Sequence, residues 1–187
     1  MKKFPIIIIV IVLFSLMGCQ EDSLEISDIR FKGDILGETI SLNENNLSFV
    51  DIIDLDGPFN SRTFVSIFKK GNTSYSLSFA IPKDSTSNSL LFPVQQTGQY
   101  GFERVGSYNS SSPFRFSVAE KTGQEWIMHS TYSNNDDNKV EILDIEFETD
   151  TTLIITGTFD CNLSILTNDE IVGNAKDVEF KTRFLIK

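Results

Sequence analysis

From Ile29 onward the apolar residues recur at every second position, and a period of two admits little except β-structure. In TSYSLSFAI, Tyr75, Leu77, Phe79 and Ile81 share one face while Ser74, Ser76 and Ser78 take the other. Such a strand is dry on one side and wet on the other. DVEFKTRFLIK repeats the pattern, with Val178, Phe180, Phe184 and Ile186 set against Glu179, Lys181, Arg183 and Lys187. RTFVSIF is apolar on both faces, Phe64 and Phe68 opposing Val65 and Ile67, which predicts a strand covered on both sides. In KVEILDIEFE the apolar set jumps from Val140 and Ile142 to Leu143, Ile145 and Phe147, so a bulge or bend is required near Leu143.

Turn chemistry separates these runs: Gly33 and Gly37, NENN at 43–46, DGP at 56–58, KKGN at 69–72, SNNDDN at 133–138 and TDTT at 149–152. The Ser-rich NSSSP at 109–113 reads as a loop. No amphipathic helix of useful length is visible, and TNDEIVGNAK, Thr167 to Lys176, is the one place for a helical turn or a long loop. Many short strands between turn signals predict an all-β fold of ~10 strands, a single antiparallel β-sandwich, with a lipocalin-like up-and-down β-barrel as the alternative.

The first residues follow another rule. Met1, Lys2 and Lys3 precede an apolar run from Phe4 to Met17 that Pro5 shortens further. A membrane span needs ~20 apolar residues, so the run reads as the charged and hydrophobic regions of a secretory signal. Leu16, Met17, Gly18 and Cys19 resemble a bacterial lipobox, in which the peptidase cuts after the small residue and the thiol is alkylated by a diacylglycerol. Sulfur is the strong nucleophile available there at neutral pH, and two or three acyl chains anchor a protein stably where one does not. The organisation expected is a lipoprotein signal peptide at 1–18, a lipidated N-terminus and tether at 19–28, and an antiparallel β domain at 29–187. Gln20 stands where many enteric lipoproteins carry the aspartate of inner-membrane retention, and Glu21 and Asp22 resemble an acidic surface-export patch. The expected location is the outer membrane, lipid-anchored, with the cell surface placed ahead of the periplasmic face.

The chain has 187 residues and a formal net charge of −10, which suits one domain with one core. The leader holds Lys2 and Lys3 and no acid, so the mature chain is more acidic still and is repelled by phosphate backbones. Nucleic acid is not an expected partner. With Cys19 given to lipid, Cys161 has no cysteine to pair with.

Candidates for chemistry are few. Cys161 shares a face with Phe159, Leu163 and Ile165 in TGTFDCNLSIL and reads as a small core residue. His129, the one histidine, lies on the face opposite Trp126 and Met128. It lacks the company a metal needs, and Ser130 beside it points to the other face. NNDDNK at 134–139 lacks the glycine and distal glutamate of a calcium loop: the twelfth position from Asn134 is Ile145, and from Asp136 it is Phe147. DIIDLDGPF offers only Asp54, Asp56 and Gly57. Both read as turns in which acidic and amide side chains bond their own backbone. No catalytic residue, metal ligand or cofactor is assigned.

The stretch expected to bind is QYGFERVGSYNSSSPFRF, where Tyr100, Phe102, Tyr108, Phe114 and Phe116 interleave with Arg104 and Arg115. Rings beside hydrogen-bonding groups suit sugar faces or a protein partner, and Tyr100, Phe102, Arg104, Tyr108 and Arg115 are its candidate ligand contacts. The competing view is that the rings fill the core, since 16 Phe need an interior.

FKGDILGETI, TGQYGF, and NKVEILDIEFETDTTLIITGTFDCNL followed by VEFKTRF together resemble a family of small envelope lipoproteins of unknown function from gut and environmental Gram-negative bacteria. That family opens on a short G-K hairpin, carries a G-x-Y strand mid-chain and ends on a late G-T-F hairpin. Gly157, Thr158 and Phe159 match its most specific part, and Phe180 and Phe184 fall in its last strand. Cys161 departs from the apolar or small residue usual there. The resemblance implies a fold and brings no catalytic residues. The expected function is a non-enzymatic binding or interaction module, held to the membrane through lipidated Cys19, with a glycan or protein as ligand. A lipocalin-like carrier of a small apolar ligand is the alternative, and a small hydrolase built on paired carboxylates is third.

Overall fold

The structure is a computed structural model that describes residues 28–55, 61–82, 94, 96–102, 113–131, 139–165 and 171–186. These form strands β1 (Arg30–Ile35), β2 (Glu38–Asn43), β3 (Leu47–Leu55), β4 (Ser61–Lys70), β5 (Thr73–Pro82), β6 (Gly98–Gly101), β7 (Phe114–Thr122), β8 (Glu125–Thr131), β9 (Lys139–Thr149), β10 (Thr152–Ile165) and β11 (Ile171–Leu185). The strands make one antiparallel sheet in the order β2-β1-β11-β10-β8-β7-β5-β4-β3. β10 forks: its first part, Thr152 to Asp160, pairs with β9, which carries β6, and Leu163 to Ile165 pair with β8.

The end strands β2 and β3 are consecutive in the chain, joined by a 3-10 turn at Glu44–Asn46, yet they do not pair. The sheet is therefore open, and the closed-barrel alternative is corrected. It folds over itself like a sandwich instead. Phe31 of β1 stacks on Phe68 of β4 at 5.5 Å, Phe79 of β5 meets Phe184 of β11 at 5.2 Å, and the Ser66 and Thr182 hydroxyls meet at 2.6 Å inside. Local chemistry supports each reversal. The Asn43 side chain accepts from Asn45 N–H at 3.0 Å and Asn46 accepts from Asn43 N–H at 3.1 Å, a reciprocal cap. Gly71 at φ 59° turns β4 into β5.

The bulge required near Leu143 is present: Gly157 faces Ile142 and Thr156 faces Asp144, leaving Leu143 without an opposite residue. A second irregularity lies in β11, at Lys176 and Asp177, where Phe159 faces Val178 but Cys161 faces Ala175. Both neighbours are fitted to it. Asp160 accepts the Asp177 N–H at 2.6 Å, and Asp177 takes φ 50°, which aspartate tolerates. On the other side a Cβ at Gly33 would come within 2.8 Å of Val178 Cα. Gly33, expected at a turn, thus lies inside β1 at a close backbone approach. The expectation of a helical turn or loop up to Lys176 is likewise corrected: Ile171 to Lys176 extend β11, because residues 171–175 pair with Ser164 to Cys161. Positions 167–170 lie outside the described residues.

The interior is dominated by phenyl rings. Phe31, Phe64, Phe68, Phe79, Phe114, Phe116, Phe180 and Phe184 are fully buried, and Phe159 contacts Phe102, Phe114, Phe116 and Phe180. Phe64 and Val65, on opposite faces of β4, are both buried, as the doubly apolar run predicts. Among the described residues Phe49 and Phe147 are the exceptions, Phe147 at 74% exposed. The two outer faces differ in chemistry. Across β1, β11 and β9 run ion pairs: Lys32 with Glu179 at 2.9 Å, Lys181 with Glu146 at 3.0 Å, and Arg183 with Glu148 at 2.8 Å and Glu44 at 2.6 Å. Across β10, β8, β7 and β5 runs an uncharged row in register: Ser164, Ser130, Ser117 and Ser76.

Candidate functional site

On the charged outer face, Gln99 of β6 pairs with Glu141 of β9, Glu141 with Thr158 of β10, and Thr158 with Glu179 of β11. Alternation turns all of these side chains outward, since Val140, Phe159 and Val178 between them are buried. In the next row Asp160 faces Lys139, and the β11 irregularity adds Asp177. The bend there opens a groove of about 530 Å³ along these rows. Its walls hold carboxylates, an amide, a hydroxyl and one ammonium. Acceptors and donors so interleaved match hydroxyl-rich ligands, each hydroxyl both giving and taking a hydrogen bond. The groove has the volume of a small-ligand site but a more polar lining than most.

The residues expected to bind are dispersed by the fold. Tyr100 is half-buried and donates its hydroxyl to the Gln96 carbonyl at 2.8 Å. Phe102 is 5% exposed, its ring edge-on to Phe114 at 5.0 Å, so it fills the core. Arg115 is half-buried on the outer face of β7, opposite Ser78, whose hydroxyl reaches the Arg115 carbonyl at 3.5 Å. Arg104 and Tyr108 lie outside the described residues, as do Gly18 and Cys19. Phe114 and Phe116 are fully buried. Tyr100, Phe102 and Arg115 therefore do not share one surface.

Cys161 faces inward and is buried. Burial above all pushes its thiol pKa up, with the Asp160 charge adding and a backbone hydrogen bond at Ala175 opposing. It is an unreactive thiol, since the thiolate is the nucleophile. His129 is half-buried on the inner side of β8, opposite Val118, and its Nδ1 has no hydrogen-bond partner among the described residues. Ser130 turns to the outer row, so the two share no site. Asp54 receives Arg62 through Nε at 2.8 Å and Nη2 at 3.1 Å, which raises the Arg62 pKa and commits that carboxylate to an ion pair. NNDDN at 134–138 is outside the described residues. Among the described residues no three His, Cys, Asp or Glu side chains are grouped to hold a metal.

The groove residues were hidden among ordinary wet-face positions. Lys139 and Glu141, Thr158 and Asp160, and Glu179 each look like the polar half of an alternating strand. Only the pairing of four strands in register makes them neighbours. Compared with protein-family models, with characterised proteins and with solved structures, the chain matches none.

Proposed function

We propose that this chain is a lipid-anchored lipoprotein of the outer membrane, cell-surface facing, whose β domain binds its ligand without transforming it. The packed interior is the observation that carries the binding part. Eight fully buried Phe side chains occupy the space between the folded-over halves, so recognition falls to the outer surface, where the groove offers a preformed polar site. A glycan suits that lining best, and a protein surface is the second choice. The apolar-ligand carrier draws less support, because rings fill the place its ligand would need. Leu16 to Cys19 and the acidic Glu21 and Asp22 support the anchor and its address.

The test has two parts. Cys19→Ala in cells should abolish both the cut after Gly18 and incorporation of labelled fatty acid, since cleavage of such leaders depends on prior alkylation. A wild-type protein still cut but unlabelled defeats the anchor. The lipid-free protein, titrated against envelope and host polysaccharides, should lose about tenfold in affinity on Glu141→Gln, the size of one charged hydrogen bond. Turnover of a glycan, ester or peptide, abolished by a single carboxylate change, defeats the non-enzymatic assignment.

A further inference from the structure

The β7–β8 hairpin runs out past the strand beside it. β10 pairs with β8 only at His129 to Thr131, so Glu125 to Met128 have β7 on one side and no strand on the other among the described residues. Positions 121–128 are exposed throughout. Met128 pairs with Ala119 and Trp126 with Lys121, and alternation from the Ser117–Ser130 pair puts all four on the outer face. Trp126 is 57% exposed there and Met128 45%.

Lysines frame these two side chains. The row of Met128 and Ala119 continues through Ser74 to Lys69. Lys121 holds its Nζ 6.0 Å from the centre of the Trp126 ring and donates its backbone N–H to Asn72 O at 3.1 Å, which ties the hairpin to the β4–β5 turn. Neither lysine forms an ion pair among the described residues, although Arg30, Lys32, Arg62, Lys181 and Arg183 all do. The acids of the hairpin, Glu120 and Glu125, fall on the opposite face with Ile127. In a chain of net charge −10, this face of the hairpin therefore carries lysine and no acid.

We infer that the outer face of the β7–β8 hairpin rests on a phosphate-bearing bilayer surface, with Trp126 and Met128 entering the headgroup layer and Lys69 and Lys121 meeting lipid phosphates. Tryptophan suits that layer because its ring is apolar and its N–H polar, and a lysine stem lies along apolar surface while its ammonium stays at the phosphates. A protein partner fits less well. Two partly exposed side chains offer on the order of 200 Å², against ~800 Å² per partner in a stable protein interface. A bilayer contact can be weak, because a tethered domain meets its surface at high effective concentration. The inference rests on the anchor reading for what brings the domain to a bilayer: Cys19 to Ser27 reach about 30 Å at full extension, enough for the domain to lie down on the membrane that holds it.

Trp126 is the one tryptophan of the chain, so its fluorescence reports this face alone. The full chain is coupled through Cys19 to maleimide-headgroup lipid in vesicles of phosphatidylethanolamine and phosphatidylglycerol in equal parts, Cys161 being buried. This holds the domain at a bilayer whether or not cells lipidate Cys19. The expected result is Trp126 emission shifted to shorter wavelength and quenched by lipids brominated on their acyl chains, with the contact weakened about fivefold by each of Lys69→Gln and Lys121→Gln. Lys32→Gln, on the ion-paired face, should leave the quenching unchanged. Absence of shift and quenching overturns the inference, as does quenching equal in the wild type and both hairpin-face variants, or equally lost in Lys32→Gln. A shift that develops without lipid as the protein is concentrated assigns the face to a second copy and also overturns it. Quenching in vesicles by a chain that cells leave unlipidated upholds this contact while defeating the anchor. Unchanged thermal melting of Lys69→Gln and Lys121→Gln, both at exposed positions, keeps a lost contact from being a folding artefact.

Discussion

Cys161 shows how one side chain is governed by its layer. It sits at 4% exposure between Phe159 and Leu163, and the burial that raises its pKa also shields it from reagents. A bulky maleimide should label the intact domain only after denaturation, followed by mass spectrometry at pH 8, and rapid labelling of the folded protein would mean that this strand turns its other face inward. Cys161→Ser should lower stability in urea by about 1 to 3 kcal/mol, the cost of a hydroxyl in an apolar layer. Tyr75 obeys the same physics: its ring packs on Phe31 at 5.6 Å, and burial above all pushes its phenol pKa up to about 12.

Among the strands, β9 depends on one inserted residue. Leu143 is 51% exposed and has no residue opposite, and its insertion is what allows Val140, Ile142 and Ile145 to face the interior together. Deleting Leu143 brings these three into strict alternation, so the deletion should cost no more than about 1 kcal/mol. Deleting Thr158 from β10 has the opposite effect. A one-residue slip moves a whole set of side chains to the other face, so Phe159, Cys161 and Leu163 would leave the core. Urea melts of the two deletions should therefore differ sharply, and equal destabilisation would show that the Leu143 bulge is needed for more than phase.

Across the whole molecule the two halves of the sheet must recognise each other through their inner faces, and among the described residues a buried polar contact joins the rings in doing so. Ser66 of β4 and Thr182 of β11 are fully buried and hydrogen-bonded at 2.6 Å. Thr182→Val strands the Ser66 hydroxyl and should cost about 1 to 3 kcal/mol. The double variant with Ser66→Ala removes both polar groups and should cost clearly less than the two single changes added together. Strict additivity in chemical denaturation would mean that the halves do not meet through this pair.

The alternation of TSYSLSFAI and DVEFKTRFLIK set the strands and their dry faces, the slip in KVEILDIEFE located the Leu143 bulge, and the phase of Cys161 placed it inside. Each is local, because successive strand side chains point to opposite faces whatever the partner strand is. The proposed lipid address in Leu16 to Cys19 is also read from the sequence alone. Composition alone left Phe102 undecided between ligand and core, because an aromatic looks the same in either role until its neighbours are known. Tertiary pairing put it beside Phe114 and Phe159, and the same pairing placed Gly33 against Val178 instead of in a turn. It also brought together Gln99, Glu141, Thr158 and Glu179 from four strands. A side chain's facing follows from its own strand, but its neighbours follow from which strands pair and how the sheet folds, and those are settled by contacts between residues distant in the chain.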